Sequence, residues 1–276
     1  VAKCSAGYYA TPEMDLIDLF IGSEGTLGLI SEVVLRVSPI HFKVMSAFVT
    51  VSDESLGIAL AGRLRDASLK SREGSGSGLD ISAIESLDRR SLELLREEGE
   101  HRRLGISLPE GNDFGLFFQV ECPLEWDAES VTDEMEVFFD DESSGSSPII
   151  ELCQILSDFE ALEDMEIALP GDERRARQLF ELRDRVPTIV NHRVADAQRE
   201  IDGRIHKTAA DMVVPFEHFK AMMDVYRAGF VERGLDYAVW GHISDGNVHP
   251  NVIPKSYEDV VAGKEVILKF AKTVKE

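Results

Sequence analysis

WGHISDGNVHPNV, residues 240–252, is the stretch on which the fold turns. Asp-Gly between two short apolar runs is a hairpin signal, because a type I′ turn needs positive φ at both central residues. With Asp245 and Gly246 at the turn, Ser244 pairs with Asn247, Ile243 with Val248, and His242 with His249. The flanks LDYAVWGH and NVHPNVIP become the two strands. A hairpin joins antiparallel strands, whereas parallel strands need a long crossover.

Working outward, the other segments alternate between strand and helix patterns. KVMSAFVTV reads as a strand from Lys43, and ESLGIALAGRLRDASL as a helix. A strand is expected near Ile81–Ile84, followed by a helix. DFGLFFQVECP is a strand ended by Pro123, and Asp127 is placed to cap the helix after it. IIELCQIL is expected as a strand. A helix from Asp172 should stop at Pro187, and ADMVVP should be a short strand. FEHFKAMMDVYRAGFVERG is a helix closed by Gly234, and the chain ends in a helical pattern. SREGSGSG (71–78) and DDESSGSS (140–147) are loops by composition. Near the N-terminus, a strand is expected over Glu32–Val37, closed by Pro39. Together these predict an α+β fold: an antiparallel, ferredoxin-like sheet with helices on one face.

The formal charge of −22 over 276 residues argues against nucleic acid or an anionic membrane surface as partner. It leaves room for a small anionic substrate in a local basic pocket. No apolar run reaches the ~18 residues of a transmembrane helix. Cys4, Cys122 and Cys153 show no metal spacing and are odd in number, which points to a reducing compartment rather than a disulfide framework. The chain opens with Val1 in mid-motif and stops within a helix, as a fragment of a longer protein would.

Side chains alternate along a strand, so His242, Ser244, Asn247 and His249 should share one face of the hairpin. Directly opposed residues hold their Cβ atoms about 4.5–5.5 Å apart, a separation that lets two imidazoles reach one metal ion. Two surface histidines at a turn remain the plain alternative, and a site would need a third ligand from elsewhere. Gly22, Gly25 and Gly28 either make a tight turn between strands or let backbone approach a ligand. By composition alone, Arg183 and Lys207 are ordinary solvated cations.

LFIGSEGTLGLISEVVLRVSP (19–39) resembles the end of the FAD-binding domain in flavin-linked oxidoreductases of the vanillyl-alcohol-oxidase type. GHISDGNVHPNV resembles the H-x-G-D-G-N-x-H signature of one branch of that family. The branch comprises D-lactate dehydrogenases, the glycolate oxidase flavoprotein subunit and D-2-hydroxyglutarate dehydrogenase. SAGYY (5–9), AIESLDRRSLELL (83–95) and LRDRVP (182–187) extend the likeness along the chain.

The resemblance implies an FAD-dependent oxidation of a D-2-hydroxy acid, such as D-lactate or glycolate, with hydride passing to the flavin. It assigns 1–40 to the end of the FAD-binding domain and 41–276 to a substrate-binding cap domain truncated at its C-terminus. Gly7, Gly22, Ser23, Gly25, Thr26, Gly28 and Ile30 would lie along the FAD. No role is carried onto Cys4, where relatives often have asparagine. His242 and His249 would bind a divalent metal, zinc or manganese, and Asn247 would touch the substrate or orient the site. Ser244 replaces the usual glycine of the signature. Arg183 would bind the substrate carboxylate, with Lys207 beside it. The Lys207–Asp211 spacing is longer than in many members, and His206 ranks second as a ligand. The third metal ligand and the base would lie in a later G-E-H-G segment, beyond Glu276. The implied partners are the 2-hydroxy acid and an electron acceptor, which is a quinone, a cytochrome or an electron-transfer flavoprotein. A homodimer stays open. The compartment expected is the cytoplasm, with attachment to a membrane periphery left open. The alternative is a non-catalytic cap or ligand-binding domain that carries no flavin by itself.

Overall fold

Alternate residues of one strand face two different apolar cores, and that organises the molecule. The computed structural model describes residues 7–140 and 147–275. The chain divides into two compact units, Val1–Ile40 and His41–Glu276.

The described part of the first unit holds turns and one 3-10 turn, Leu16–Leu19. The strand expected over Glu32–Val37 does not form. Strands are held by a partner ladder and a buried face. Here Val33, Val34, Leu35 and Val37 are all exposed, and no described strand pairs with them.

The second unit runs β1 (Phe42–Val51), α1 (Glu54–Arg72), β2 (Asp80–Leu87), α2 (Arg89–Glu97), α3 (Glu100–Leu104), β3 (Phe114–Pro123), α4 (Ala128–Asp140), α5 (Pro148–Asp158) and β4 (Glu166–Ala168). It continues with α6 (Glu173–Glu200), β5 (Thr208–Ala209), β6 (Met212–Val213), α7 (Phe219–Glu232), β7 (Tyr237–His242), β8 (Asn247–Val252) and α8 (Tyr257–Lys275). The strands form one sheet in the order β4-β1-β3-β2-β7-β8-β5, with β6 also on β8. Every pairing is antiparallel. The α+β class holds, and β4-β1-β3-β2 is the strand order of a ferredoxin-like unit.

Helices cover both faces of the sheet, not one. Met45, Ala47, Val49 and Val51 of β1 join a core with residues of α1, α4, α5 and α7. Phe48 of β1, Phe117 of β3 and Trp240 of β7 join a second core with residues of α2, α3 and α6. The second face carries large aromatic side chains that would be costly to leave in water. That is the physical reason for the second layer.

Two element expectations need correction. IIELCQIL is helix α5, with Ser147 capping the Ile150 N–H at 3.1 Å and Pro148 at the first position. Its buried Ile149, Leu152, Cys153 and Leu156 recur at helical spacing. Helix α6 passes through Pro187 to Glu200. A mid-helix proline costs about 3 kcal/mol. The buried stripe Leu179, Leu182, Val186, Ile189, Val190 and Val194 lies on both sides of it and outweighs that cost. The 140–147 loop lies almost wholly outside the described residues.

The hairpin forms, with its register moved by two. The loop is a four-residue turn containing a 3-10 turn at Ile243–Asp245, and His242 pairs with Asn247, Gly241 with Val248, and Trp240 with His249. Only Gly246 takes positive φ, at +75°, and a Cβ there would meet the Val214 carbonyl oxygen at 1.8 Å. Ile243 is fully buried in the first core, which pulls it out of the strand and into the turn. Ser244 therefore leaves the histidine face, and its carbonyl accepts from Arg65 Nε at 3.1 Å.

Candidate active site

A register shift of two keeps every side chain on its face. His242 and His249 thus share one face, as expected, but as diagonal neighbours rather than opposed ones. Their ring centroids are 5.8 Å apart and nearly perpendicular, at 87°.

The strand pairings place a row of residues across this face. Phe48 pairs with Phe117, Phe117 with Glu85, Glu85 with His242, and His242 with Asn247. Glu85 is a buried carboxylate in β2, between Ile84 and Ser86. Its Oε1 accepts from His242 Nδ1, and its Oε2 accepts from Arg183 at 3.1 Å. Arg183 reaches down from α6 and also donates to Asp184 at 2.6 Å. Arg183 and His242 are thereby joined through one carboxylate.

Burial alone would raise the Glu85 carboxyl, but the hydrogen bond from His242 and the Arg183 charge outweigh it and hold it below the ordinary range. The hydrogen bond to Glu85 raises His242 above its ordinary value, against the opposing effect of burial.

On the neighbouring strand, His249 Nδ1 lies 3.4 Å from Asp211 Oδ1. Asn247 is 2% exposed. Its amide donates to the same Asp211 oxygen and to the Met212 carbonyl at 3.1 Å. Asn247 thus ties β8 to the segment carrying Asp211. Each histidine has a carboxylate at Nδ1, the arrangement that fixes tautomer and ring orientation in metal-bound histidines. Among the described residues no group of three His, Cys, Asp or Glu is placed to hold a metal ion.

Lys207 stands apart from this line. Its Nζ donates to Asn191 Oδ1 at 3.0 Å, eight residues beyond Arg183 on α6. His206 Nδ1 hydrogen bonds the Arg204 carbonyl at 2.8 Å. A cleft of about 800 Å³ opens elsewhere, at the Asp88 end of the sheet. Arg89, Arg90 and Arg227 on its wall are each ion-paired to carboxylates.

In the first unit, Phe20, Gly22, Ser23, Gly25, Gly28 and Ile30 border a shallow depression. Gly22 and Gly25 have φ of +77°, and a Cβ on either would meet nothing within 4 Å. Thr26 Oγ1 donates to the Ser23 carbonyl at 2.6 Å and lies 2.8 Å from the Tyr8 hydroxyl. Gly7 is exposed beside this segment in sequence, while Cys4, Ser5 and Ala6 lie outside the described residues.

Sequence reasoning missed Glu85 as a site residue and used Asp211 only as a spacing mark. The available signal for Glu85 was an acid inside a strand pattern, where carboxylates are rarely buried unless paired.

Residues 53–274 match the family model for FAD linked oxidases, C-terminal domain. The chain belongs to that family. This FAD linked oxidase C-terminal domain is 26% identical over 253 residues to mitochondrial D-2-hydroxyglutarate dehydrogenase of Bos taurus, covering 90% of the chain and 38% of the relative. It is 22% identical over 276 residues to mitochondrial D-lactate dehydrogenase [cytochrome] 1 of Saccharomyces cerevisiae, covering 98% of the chain and 38% of the relative. The chain thus spans well under half the length of these curated relatives. Among solved structures, alkyldihydroxyacetonephosphate synthase shares the fold of this domain, with a TM-score of 0.50 and 14% identity over 96% of this chain and 45% of that one. No described helix is long and apolar enough to cross a membrane.

Proposed function

We propose that this chain is the substrate-binding part of an FAD-dependent dehydrogenase that oxidises a D-2-hydroxy acid. The observation that carries this reading is the Arg183–Glu85–His242 line, with His249 beside it, in a domain of the FAD-linked oxidase family. Residues 1–40 are the end of the FAD-binding domain, and 41–276 form the cap.

Arg183 binds the substrate carboxylate. A planar guanidinium suits a two-oxygen anion, and Asp184 and Glu85 position it through its two terminal nitrogens. His242 and His249 supply two ligands to a divalent cation, zinc or manganese, with Glu85 and Asp211 orienting their rings. Asn247 keeps Asp211 in reach of His249. Lys207, whose Nζ bonds Asn191, is the second cation assigned to the substrate carboxylate. Gly22 to Gly28 present open backbone to the flavin, with Gly7, Ser23, Thr26 and Ile30 alongside. When bound, FAD supplies the two-electron acceptor and the cation a Lewis acid at the substrate oxygens.

Electrons leave to a quinone, cytochrome or electron-transfer flavoprotein. The compartment is the cytoplasm, in keeping with three scattered cysteines in the sequence.

The test is reduction of an artificial acceptor by the full-length protein with D-lactate, glycolate and D-2-hydroxyglutarate. Turnover with at least one is expected. Failure with every 2-hydroxy acid would overturn the reading. His242→Ala with His249→Ala should abolish turnover and lower bound metal. Unchanged metal stoichiometry in that double variant would remove the ligand assignment.

A further inference from the structure

An aromatic ring stands open beside the carboxylate anchor. Phe180 is 47% exposed, although Leu179 and Leu182 on the same turns are fully buried. It lies three residues before Arg183, so the two side chains neighbour each other along one flank of α6. Below them, Phe117 and Glu85 are register partners on adjacent strands. Phe180 packs edge-on against Phe117, with centroids 6.1 Å apart at 78°, while Arg183 bonds Glu85. His242 pairs with Glu85 from the opposite side. The order along the row is therefore aromatic pair, carboxylate anchor, imidazoles.

We infer that Phe180 is a specificity-determining residue that selects 2-hydroxy monocarboxylates bearing an apolar side chain. This rests on the proposed 2-hydroxy-acid dehydrogenase function and names the substrate class within it. We place the carboxylate on Arg183 and the hydroxyl toward His242 and His249, with the C2 side chain turned back over Arg183 onto the exposed ring of Phe180, which the buried Phe117 supports from beneath. A half-exposed ring there gains from covering by an apolar group.

A second carboxylate on that substituent meets the ring face, with Asp184 and Glu181 on the flanking positions of α6. Glu181 is itself paired with Arg103, at 2.6 Å. Arg177, one turn before Phe180, lies on the far side of the ring from Arg183 and is reached only by a substituent long enough to cross it.

The experiment measures kcat/KM of the full-length flavoprotein for D-lactate, D-2-hydroxy-4-methylpentanoate, D-3-phenyllactate and D-2-hydroxyglutarate. The two large apolar substrates should exceed D-lactate by about tenfold or more, within the range that apolar pockets deliver. In Phe180→Ala the ratio of D-3-phenyllactate to D-lactate should fall by about tenfold, through KM, and Phe180→Trp should restore most of it. Since Phe180 lies off the buried stripe, both variants should keep the parent's unfolding midpoint. Equal kcat/KM for D-lactate and D-3-phenyllactate, a preference for D-2-hydroxyglutarate, or an unchanged ratio in Phe180→Ala would each overturn this inference while leaving the dehydrogenase reading in place. Inactivity toward all four acids but not toward glycolate would overturn this inference alone, and inactivity toward glycolate as well would overturn both.

Discussion

Glu85 and Asp88 lie three residues apart, are both buried, and both tie the β2 region to β7, yet they are perturbed in opposite directions. Glu85 faces His242 and Arg183, and their hydrogen bonds and charge hold it below the ordinary carboxylate range against the effect of burial. Asp88 caps α2, accepting from the Ser91 N–H at 2.9 Å, the Ser91 hydroxyl at 2.6 Å and the Val239 N–H at 2.9 Å. Burial dominates there and pushes the Asp88 carboxyl to about 7 despite those bonds. Neutral donors orient a carboxylate, but they do not replace the solvation that burial removes. The difference separates a carboxylate that organises cationic groups from one that closes a helix end.

The comparison breaks most severely at Arg183. Arg183→Ala should lower kcat/KM by about a thousandfold, as expected when a half-buried, hydrogen-bonded charge that binds the substrate is truncated. Steady-state kinetics and an unfolding curve on the same sample should show lost turnover with the fold intact. If Arg183→Ala costs mainly stability, the Glu85 end of the sheet is structural like the Asp88 end.

Stability against pH gives the next largest effect. The folded chain retains a proton on Asp88 between its ordinary 3.8 and about 7, where the unfolded chain has lost it. Asp88 therefore stabilises the fold fully below the lower value, and that contribution is lost as pH rises through the upper one. From this group the change is roughly 4 kcal/mol. Urea unfolding at about pH 4 and about pH 8 should show the decline, and Asp88→Asn should flatten it. Glu85 has the opposite sign. Its depressed value stabilises the fold above its ordinary 4.5 and is lost as pH falls below that. A parent slope that survives in Asp88→Asn would assign the titration to another group.

The mildest change sharpens the contrast. Glu85→Gln keeps shape and one acceptor but removes the charge between Arg183 and His242. A loss of about 10- to 100-fold in metal affinity or turnover is expected, as for partners that orient metal-binding histidines. Titration of the full-length apoprotein with zinc reads the affinity directly. Unaltered affinity would reduce Glu85 to a packing role.

The parts of the fold that local chemistry controls were legible in the sequence. The Asp-Gly turn announced the hairpin and so the antiparallel sheet, and Asp127 capped its helix through the Ser130 N–H at 3.0 Å, as read. Long-range competition escaped it. Pro187 looked like a helix end because its own cost is local, while the stripe that overrides it draws on the second core. IIELCQIL was too short an apolar run for periodicity to separate strand from helix. For the candidate site, the histidine pair and Arg183 came from motif likeness. Glu85 did not, because its partners lie 98 and 157 residues away.

By itself, then, the sequence determined that His242 and His249 would share a face, since side-chain parity survives any even shift of register. Only the tertiary structure decided that they meet diagonally. Ile243 gains more from the buried core than from the strand, and the Val214 backbone closes on Gly246 where no side chain fits. The same packing brought α6 over the second face, and with it set Arg183 on Glu85 and Phe180 on Phe117. Those contacts join segments far apart in the chain, and burial of apolar surface, which carries no local sequence signature, is what holds them.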